Sequence, residues 1–424
     1  MEETFDFAVI GGGAAGLAAA ATAAAYGDRT AVFEKNNAIG RKISASGNGR
    51  CNLMNSGALK YFGDSAFAQE VLRAFPQEAL KAAWEDLGIR LCEESEGRMY
   101  PCTFQSATVT DAFKIRLKTA GVRIFLQCPV KELLKENSLF LLSTEQGTFR
   151  AERVLIACGG SASPKLGGSE SGYELLQHFG HSILPPKPAL CPLTTDSKSI
   201  SGLSGIRVKG GVTLKDADDH ILQKENGEIL FTETGISGIC VMQTARQAEP
   251  GTLIELNFAG RIFTDREKLV QALMRRQQNV SDFGPEVILS GILVPKLAYA
   301  VLKQAGIDMK GRKAGDLSTD EIRKIAEKCF GYRLTVTGNR GLEEAQVTVG
   351  GVNCSEFDPG TMESRRIRGL HAAGEVLNVD GDCGGFNLMF ATASGILAGL
   401  NGRKVFATVS GAPAELNGRK DKGI

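Results

Sequence analysis

Residues 40–55 read GRKISASGNGRCNLMN, which brings Arg41, Lys42 and Arg50 together with Gly47, Gly49 and the thiol of Cys51. Cations beside glycines suit an anionic or flat aromatic ligand: the charges neutralise phosphate, and a backbone without side chains can be approached closely. The stretch has neither helical nor strand periodicity and is expected to be an irregular loop. The competing reading is a surface loop whose cations are merely solvated.

The elements before this stretch supply a ligand for it. Residues 5–10 read as a short apolar strand. Gly11-x-Gly13-x-x-Gly16 follows at once, an alanine-rich helix runs to Gly27, and a second apolar strand over 30–33 ends at Glu34. This is a βαβ dinucleotide-binding fingerprint. Gly11 permits the tight turn, Gly13 lets the backbone approach a pyrophosphate, Gly16 lets helix and strand pack closely, and Glu34 can bond a ribose hydroxyl.

Composition narrows the class. The chain has 424 residues, 43% hydrophobic and 23% charged, which suits a soluble protein of two or three domains. A net charge of +1 offers no global attraction to nucleic acid or an anionic membrane. The apolar run 7–27 follows Glu2, Glu3 and Asp6 rather than a basic segment, so neither signal peptide nor membrane span is expected and a cytoplasmic location is. The 10 cysteines show no C-x-x-C pair and read as reduced, mostly buried thiols. No metal site is expected, and the four histidines form no motif.

Later segments decide which dinucleotide is meant. Strands are expected over 122–127 and 139–157, the latter as a hairpin around an EQG turn, a small antiparallel addition that suits FAD better than NAD. Residues 369–400, GLHAAGEVLNVDGDCGGFNLMFATASGILAGL, read as a strand closing on Gly374-Glu375 and a Gly384-Gly385 turn that opens a small-residue helix at Asn387. The free N–H groups of such a helix suit the electron-rich edge of a reduced flavin, and Glu375 a ribityl hydroxyl. There is no second GxGxxG for a nicotinamide domain, so NAD(P)H is expected as a transient reductant.

The opening loop, ACGGSASPKLGGSESGY (157–173), FTETGISGICVM (231–242) and AAGEVLNVDGDCGGFNL (372–388) together resemble the BaiN/RdsA family of NAD(P)/FAD-dependent oxidoreductases, in order along nearly the whole chain. The resemblance implies an α/β fold: a Rossmann-like FAD-binding domain of glutathione-reductase type, interrupted by an antiparallel β-barrel-like insert and a helical insert. It implies non-covalent FAD, with Ala14, Ala15, Lys35, Ser46, Asn52, Val130, Ala157, Gly159, Gly385 and Leu388 joining the cofactor contacts named above. Members have been assigned as 3-dehydro-bile-acid reductases, rRNA dihydrouridine synthases and aminoacetone oxidases. This chain departs from the family at Phe390-Ala391, where a Trp often follows the turn, which puts transfer of any one member's substrate in doubt.

The domain boundaries follow from composition. PPKP at 185–188 closes a first FAD segment (1–188), short strands with turn signals at 216–219 and 226–227 form a β-rich insert (189–262), and helical periodicity with starts at Thr264, Ser281 and Ser318 marks a helical insert (263–344). The chain then returns to the FAD domain (345–424). Hydride transfer from flavin N5 to an activated C=C of a small enone is the expected reaction, bile-acid or steroid in kind. Dihydrouridine synthesis, an amine-type oxidase and a non-catalytic flavin-containing RNA-binding module are the alternatives. The 15 Lys/Arg against 9 Asp/Glu in 259–340 could meet RNA, with Lys310, Arg312 and Lys313 as the patch. Cys51 and Tyr100 are candidate proton donors, each with a competing reading as a packed side chain.

Overall fold

The computed structural model describes residues 3–403, so Glu2 and the 404–424 part of the last expected segment lie outside the described residues. Strand β1 (Thr4–Ile10) pairs in parallel with β2 (Thr30–Phe33) on one side and with Gly147–Ile156 on the other. Arg123–Phe125 extends the sheet beyond β2, and Leu370–Ala372 adds to Gly147–Ile156, both in parallel. Val130–Glu136, Leu139–Thr144 and Gly147–Ile156 form the antiparallel addition read from the sequence. All four residues of β2 are buried, as befits a strand covered on both faces.

Helix α1 (Ala14–Ala25) packs on this sheet and on the helix Phe386–Leu400. A Cβ on Gly395 would lie 2.2 Å from Ala15 O, and one on Gly399 would lie 2.5 Å from Ala19 O. The glycines therefore let the two helix backbones touch, which larger residues would prevent.

The PPKP stretch is not a loop. Ile183–Ala189 is a strand that pairs antiparallel with Val347–Val352, so the chain leaves and re-enters along one two-stranded ribbon. The register shifts between Leu184 and Lys187, where the prolines have no N–H to give the ladder. Between the two crossings, six strands close an antiparallel barrel. Its long hairpin, Arg207–Lys215 with Ile221–Phe231, turns at 216–219 as expected, but Asn226-Gly227 is no turn: it lies in mid-strand opposite Gly211 and Gly210. Gly227 is needed there for packing, since a Cβ would lie 3.1 Å from Cys240 Cβ on the helix Ile239–Met242.

Helix Arg266–Asn279 starts two residues after Thr264, with Asp265 as cap, and Ser318 makes a capping box with Glu321. Ser281 starts no helix, because Gly284 is held extended before Pro285 and a short 3-10 turn follows. Barrel and helical segment bury one common core, separate from the core under the parallel sheet.

One further expectation is corrected. Cys92 and Cys102 form a disulfide, because the antiparallel pairing of Leu91–Glu93 with Arg98–Pro101 brings their Cα atoms to 5.1 Å; the other eight cysteines are free thiols. In the basic patch, Arg312 pairs with Glu321 (2.7 Å) and Lys313 with Asp282 (3.0 Å). No helix among the described residues is long and apolar enough to cross a membrane.

Candidate functional site

A cavity of about 1540 Å³ runs from the first turn of α1, past the N-terminus of the helix Phe386–Leu400, to a wall contributed by the barrel. The fingerprint glycines divide by role. Gly11 has φ +111°, and a Cβ there would lie 2.3 Å from Ala157 O; one on Gly16 would lie 2.0 Å from Gly11 O. A Cβ on Gly13 would meet no protein atom within 4 Å and would stand in the space before the helix. Two glycines are thus demanded by the protein's own backbone and the third by the cavity. Gly16 accordingly does not line the cavity, and it has the close-packing role read from the fingerprint.

No side chain caps α1, so the N–H groups of its first turn, with Ala14 and Ala15, are directed at the cavity. Glu34 is buried at the cavity edge, where it accepts from Gly12 N–H at 2.8 Å and from both Asn36 N–H (2.7 Å) and Nδ2 (2.6 Å). Oε2, which accepts only from Gly12, keeps a second acceptor site for a ligand hydroxyl, whereas Oε1 is taken up by Asn36. Lys35 borders the same end and donates to Ser169 Oγ at 2.6 Å, while Val130, Ala157 and Gly159 complete it.

The opening stretch is more ordered than its pattern implies. Arg41–Ala45 forms a single helical turn, α2, entered through Gly40 at φ +71°. Only beyond Ser46 does the chain become irregular, with Gly47 and Asn48 both left-handed. Successive helical residues diverge by about 100°, so the two adjacent cations have different partners. Arg41 donates to Asn36 Oδ1 and Lys165 O, both at 2.8 Å, on the α1 side. Lys42 Nζ pairs at 2.6 Å with Glu375, whose other oxygen accepts from Thr348 N–H at 2.9 Å. Both cations line the cavity, as do Ser46 and Gly47, and the solvated-loop reading does not describe them.

Arg50 and Asn52 also face the cavity, whereas Cys51 between them does not. Cys51 has φ +60°, is fully buried, and burial pushes its thiol up to about 11. It is corrected from cofactor contact and proton donor to a packed thiol. Asn52 borders the cavity, and its Oδ1 is buried with no hydrogen-bond partner among the described residues. Arg50 pairs with Glu94 at 2.6 Å and lies 4.4 Å from the Tyr100 ring centroid. Tyr100 lines the cavity; burial raises its pKa, partly offset by Arg98 and Arg50.

The second helix N-terminus is built from distant parts. Gly385 (φ +100°) caps Phe386–Leu400, and no side chain satisfies the first-turn N–H groups beside Leu388. Asn387 holds the preceding turn by accepting from Gly381 N–H (2.8 Å) and donating to Gly381 O (2.9 Å). Gly374, at φ +76°, donates its N–H to Ser394 Oγ on the same helix and borders the cavity with Glu375.

The far chamber escaped sequence reasoning. Its wall on the barrel side includes Leu230, Ile239, Met242 and Gln243, and facing it are Glu94, Glu96, Arg98 and Tyr100. Only Tyr100 among them was singled out from the sequence, because the 3-10 turn Ser95–Gly97 that brings Glu94 and Glu96 beside the strand Arg98–Pro101 has no periodic signal. The donor set fits a dinucleotide carrying a flat ring system: two uncapped helix N-termini, an open glycine cradle and a buried acid.

The family model described as "HI0933-like protein Rossmann domain" matches residues 5–401. The 3-dehydro-bile acid delta(4,6)-reductase of Clostridium scindens is 34% identical over 400 residues, covering 92% of this chain and 97% of that protein. The ribosomal RNA dihydrouridine synthase of Escherichia coli is 29% identical, covering 92% of this chain and 96% of that protein. Its Haemophilus influenzae counterpart is 28% identical, covering 95% and 99%.

Proposed function

This chain belongs to the HI0933-like Rossmann family, and from that premise we propose that it is an FAD-dependent reductase of an activated carbon–carbon double bond. The substrate class we favour is a 3-oxo-4-ene steroid or bile acid, with NAD(P)H as donor, in line with the activity named for the C. scindens relative. The observation that carries this reading is the continuity of the cavity. At about 1540 Å³ it exceeds the roughly 300–1,000 Å³ of a single-ligand pocket, and its far chamber has a mixed barrel wall in which Leu230, Ile239 and Met242 lie among polar residues.

When bound, FAD supplies the hydride chemistry. The chain's own residues hold and tune it: the α1 N-terminus and Gly13 receive the pyrophosphate, Glu34 receives a ribose hydroxyl, and the first turn of Phe386–Leu400 presents N–H groups and a positive dipole end to the electron-rich ring edge. Lys42 holds Glu375 in place for a ribityl hydroxyl. Tyr100 keeps a proton on its hydroxyl at neutral pH and is our candidate donor to the substrate carbon; Arg50 over its ring favours the phenolate left behind.

The test is anaerobic. Purified protein is reduced with NADH or NADPH, and flavin reoxidation is followed after adding a 3-oxo-4-ene bile acid, a uridine-containing rRNA fragment or oxygen. Fast reoxidation by the enone is expected. Reoxidation by the RNA alone would transfer the assignment to the dihydrouridine synthases, and by oxygen alone to an oxidase.

A further inference from the structure

The dinucleotide end of the cavity lies on one core, while the barrel segment that supplies its far wall is built on the other. Something must set the distance between them. The two-stranded ribbon is a narrow link, with a register shift at Leu184/Lys187 and left-handed glycines at Gly350 (φ +90°) and Gly351 (φ +120°).

A side-chain contact spans the cores elsewhere. Arg246, just after the helix Ile239–Met242, forms an ion pair with Asp380 in the short strand Val379–Gly381. The Asp380 side chain is 1% exposed and that of Arg246 16%. The guanidinium also lies 3.7 Å from the ring centroid of Phe62, the residue paired with Asp380 across the two-stranded ladder. Burial pushes the Asp380 carboxyl up and Arg246 draws it back down. Among the described residues, no other salt bridge joins residues of 190–345 to the parallel-sheet core.

A buried ion pair is a poor way to gain stability, since well-packed apolar residues do as well without the desolvation cost. What it provides is a charge contact between the cores, with the guanidinium set between a buried carboxylate and a ring face. The placement gives that contact a use. Ile239, Met242 and Gln243 line the cavity just before Arg246, and Cys383, Gly384 and Gly385 line it just after Asp380.

We propose that Arg246 is a positioning residue. Its pairing with Asp380 and Phe62 fixes the Ile239–Gln243 wall relative to the Gly384-Gly385 turn, and so sets the depth at which a substrate's double bond meets the flavin. The substrate part rests on the reductase reading above; the clamp itself does not.

Arg246→Met is compared with Arg246→Lys and with the double variant Arg246→Met/Asp380→Asn, which removes both charges and so leaves no buried carboxylate unpaired. In Arg246→Met, KM for the 3-oxo-4-ene bile acid is expected to rise at least tenfold. FAD affinity and the rate of flavin reduction by NAD(P)H should stay within twofold. Arg246→Lys should recover most of the KM, and the double variant should not. Unchanged KM in the double variant, or loss of activity that merely follows loss of FAD, would overturn the proposal.

Hydrogen exchange read at 239–246 and 379–386 needs no substrate. Both segments should exchange faster together in Arg246→Met, and faster exchange in neither or only one would also overturn it. If the wild type reduces no enone yet the coupled exchange is seen, the substrate reading fails and the clamp stands.

Discussion

The two helices that end on the cavity are alike in composition and unlike in what holds their first turns. At α1 most of what is needed lies within about 25 residues of sequence: Gly16 packs on Gly11, Gly13 leaves the cradle open and Glu34 accepts from Gly12, with Ala157 O against Gly11 the long-range contact. At Phe386–Leu400 the turn is held by residues more than 300 positions away. Asn55 Nδ2 donates to Gly384 O at 2.8 Å, Tyr61 donates to Phe386 O at 2.9 Å, and a Cβ on Gly385 would lie 2.4 Å from Met54 O. The end assigned to the pyrophosphate is therefore a local motif, and the end assigned to the ring is an assembly. The two share only the seam of glycines where the helices touch.

Breaking that seam should have the largest effect, because it disturbs both ends at once. Gly395→Val places side-chain atoms where Ala15 O already sits and should cost more than the ~1–3 kcal/mol of ordinary overpacking. Thermal melts should show a large loss of stability and FAD should not be retained. A protein with unchanged melting temperature and affinity would show that the helices do not set each other's position.

Gly13→Ala comes next and separates ligand from fold. The added methyl meets no protein atom, so the stability of the FAD-free protein should change by no more than about 0.5 kcal/mol. FAD affinity should fall at least tenfold, about 1.4 kcal/mol. A drop in apo stability without a change in affinity would reverse the roles assigned to the three glycines.

Asn387→Ala tests the assembled end. It removes the accepting and donating bonds to Gly381, each worth ~0.5–1.5 kcal/mol. Apo stability and FAD affinity should both fall, by a few-fold in the latter case, so the effect is split where that of Gly13→Ala is not. Titration calorimetry with FAD beside a denaturant melt reads both.

The smallest effect is expected at α2 and bears on the adjacent cations. Lys42→Met leaves Glu375 without its 2.6 Å partner near the ring end and should lower the flavin potential by tens of millivolts, about 30 mV for each 1.4 kcal/mol. Arg41→Met, whose contacts lie on the α1 side, should instead weaken FAD binding and leave the potential of bound flavin unchanged. Spectroelectrochemistry on reconstituted variants distinguishes them. Equal shifts in potential would mean that the two cations serve one end of the cofactor.

Legibility followed the same division. The β1–α1–β2 unit, the antiparallel addition and the small-residue helix after Gly384-Gly385 were readable because each is specified by near neighbours: a period, a glycine turn, a capping residue. The errors fell where a local signal was overruled at long range. Asn226-Gly227 has turn chemistry but is held in mid-strand by pairing with Gly210-Gly211 and by the Ile239–Met242 helix packed on it. Cys51 sits between two residues that face the cavity, yet a left-handed backbone turns it into the core. Cys92 and Cys102 have unremarkable spacing and meet only because two short strands pair.

By itself the sequence determined the chemistry of the α1 end, since its glycines and its acid act within one β1–α1–β2 unit. It also determined that a second small-residue helix opens after Gly384-Gly385, and that an antiparallel and helical insertion interrupts the sheet. Only the tertiary structure decided that both helix N-termini share one cavity, that Lys42 meets Glu375 across 333 positions, and that Arg246 bridges the two cores onto Asp380. These contacts depend on how separately formed elements pack, and packing direction is set by the summed burial of two cores rather than by any residue's own neighbours.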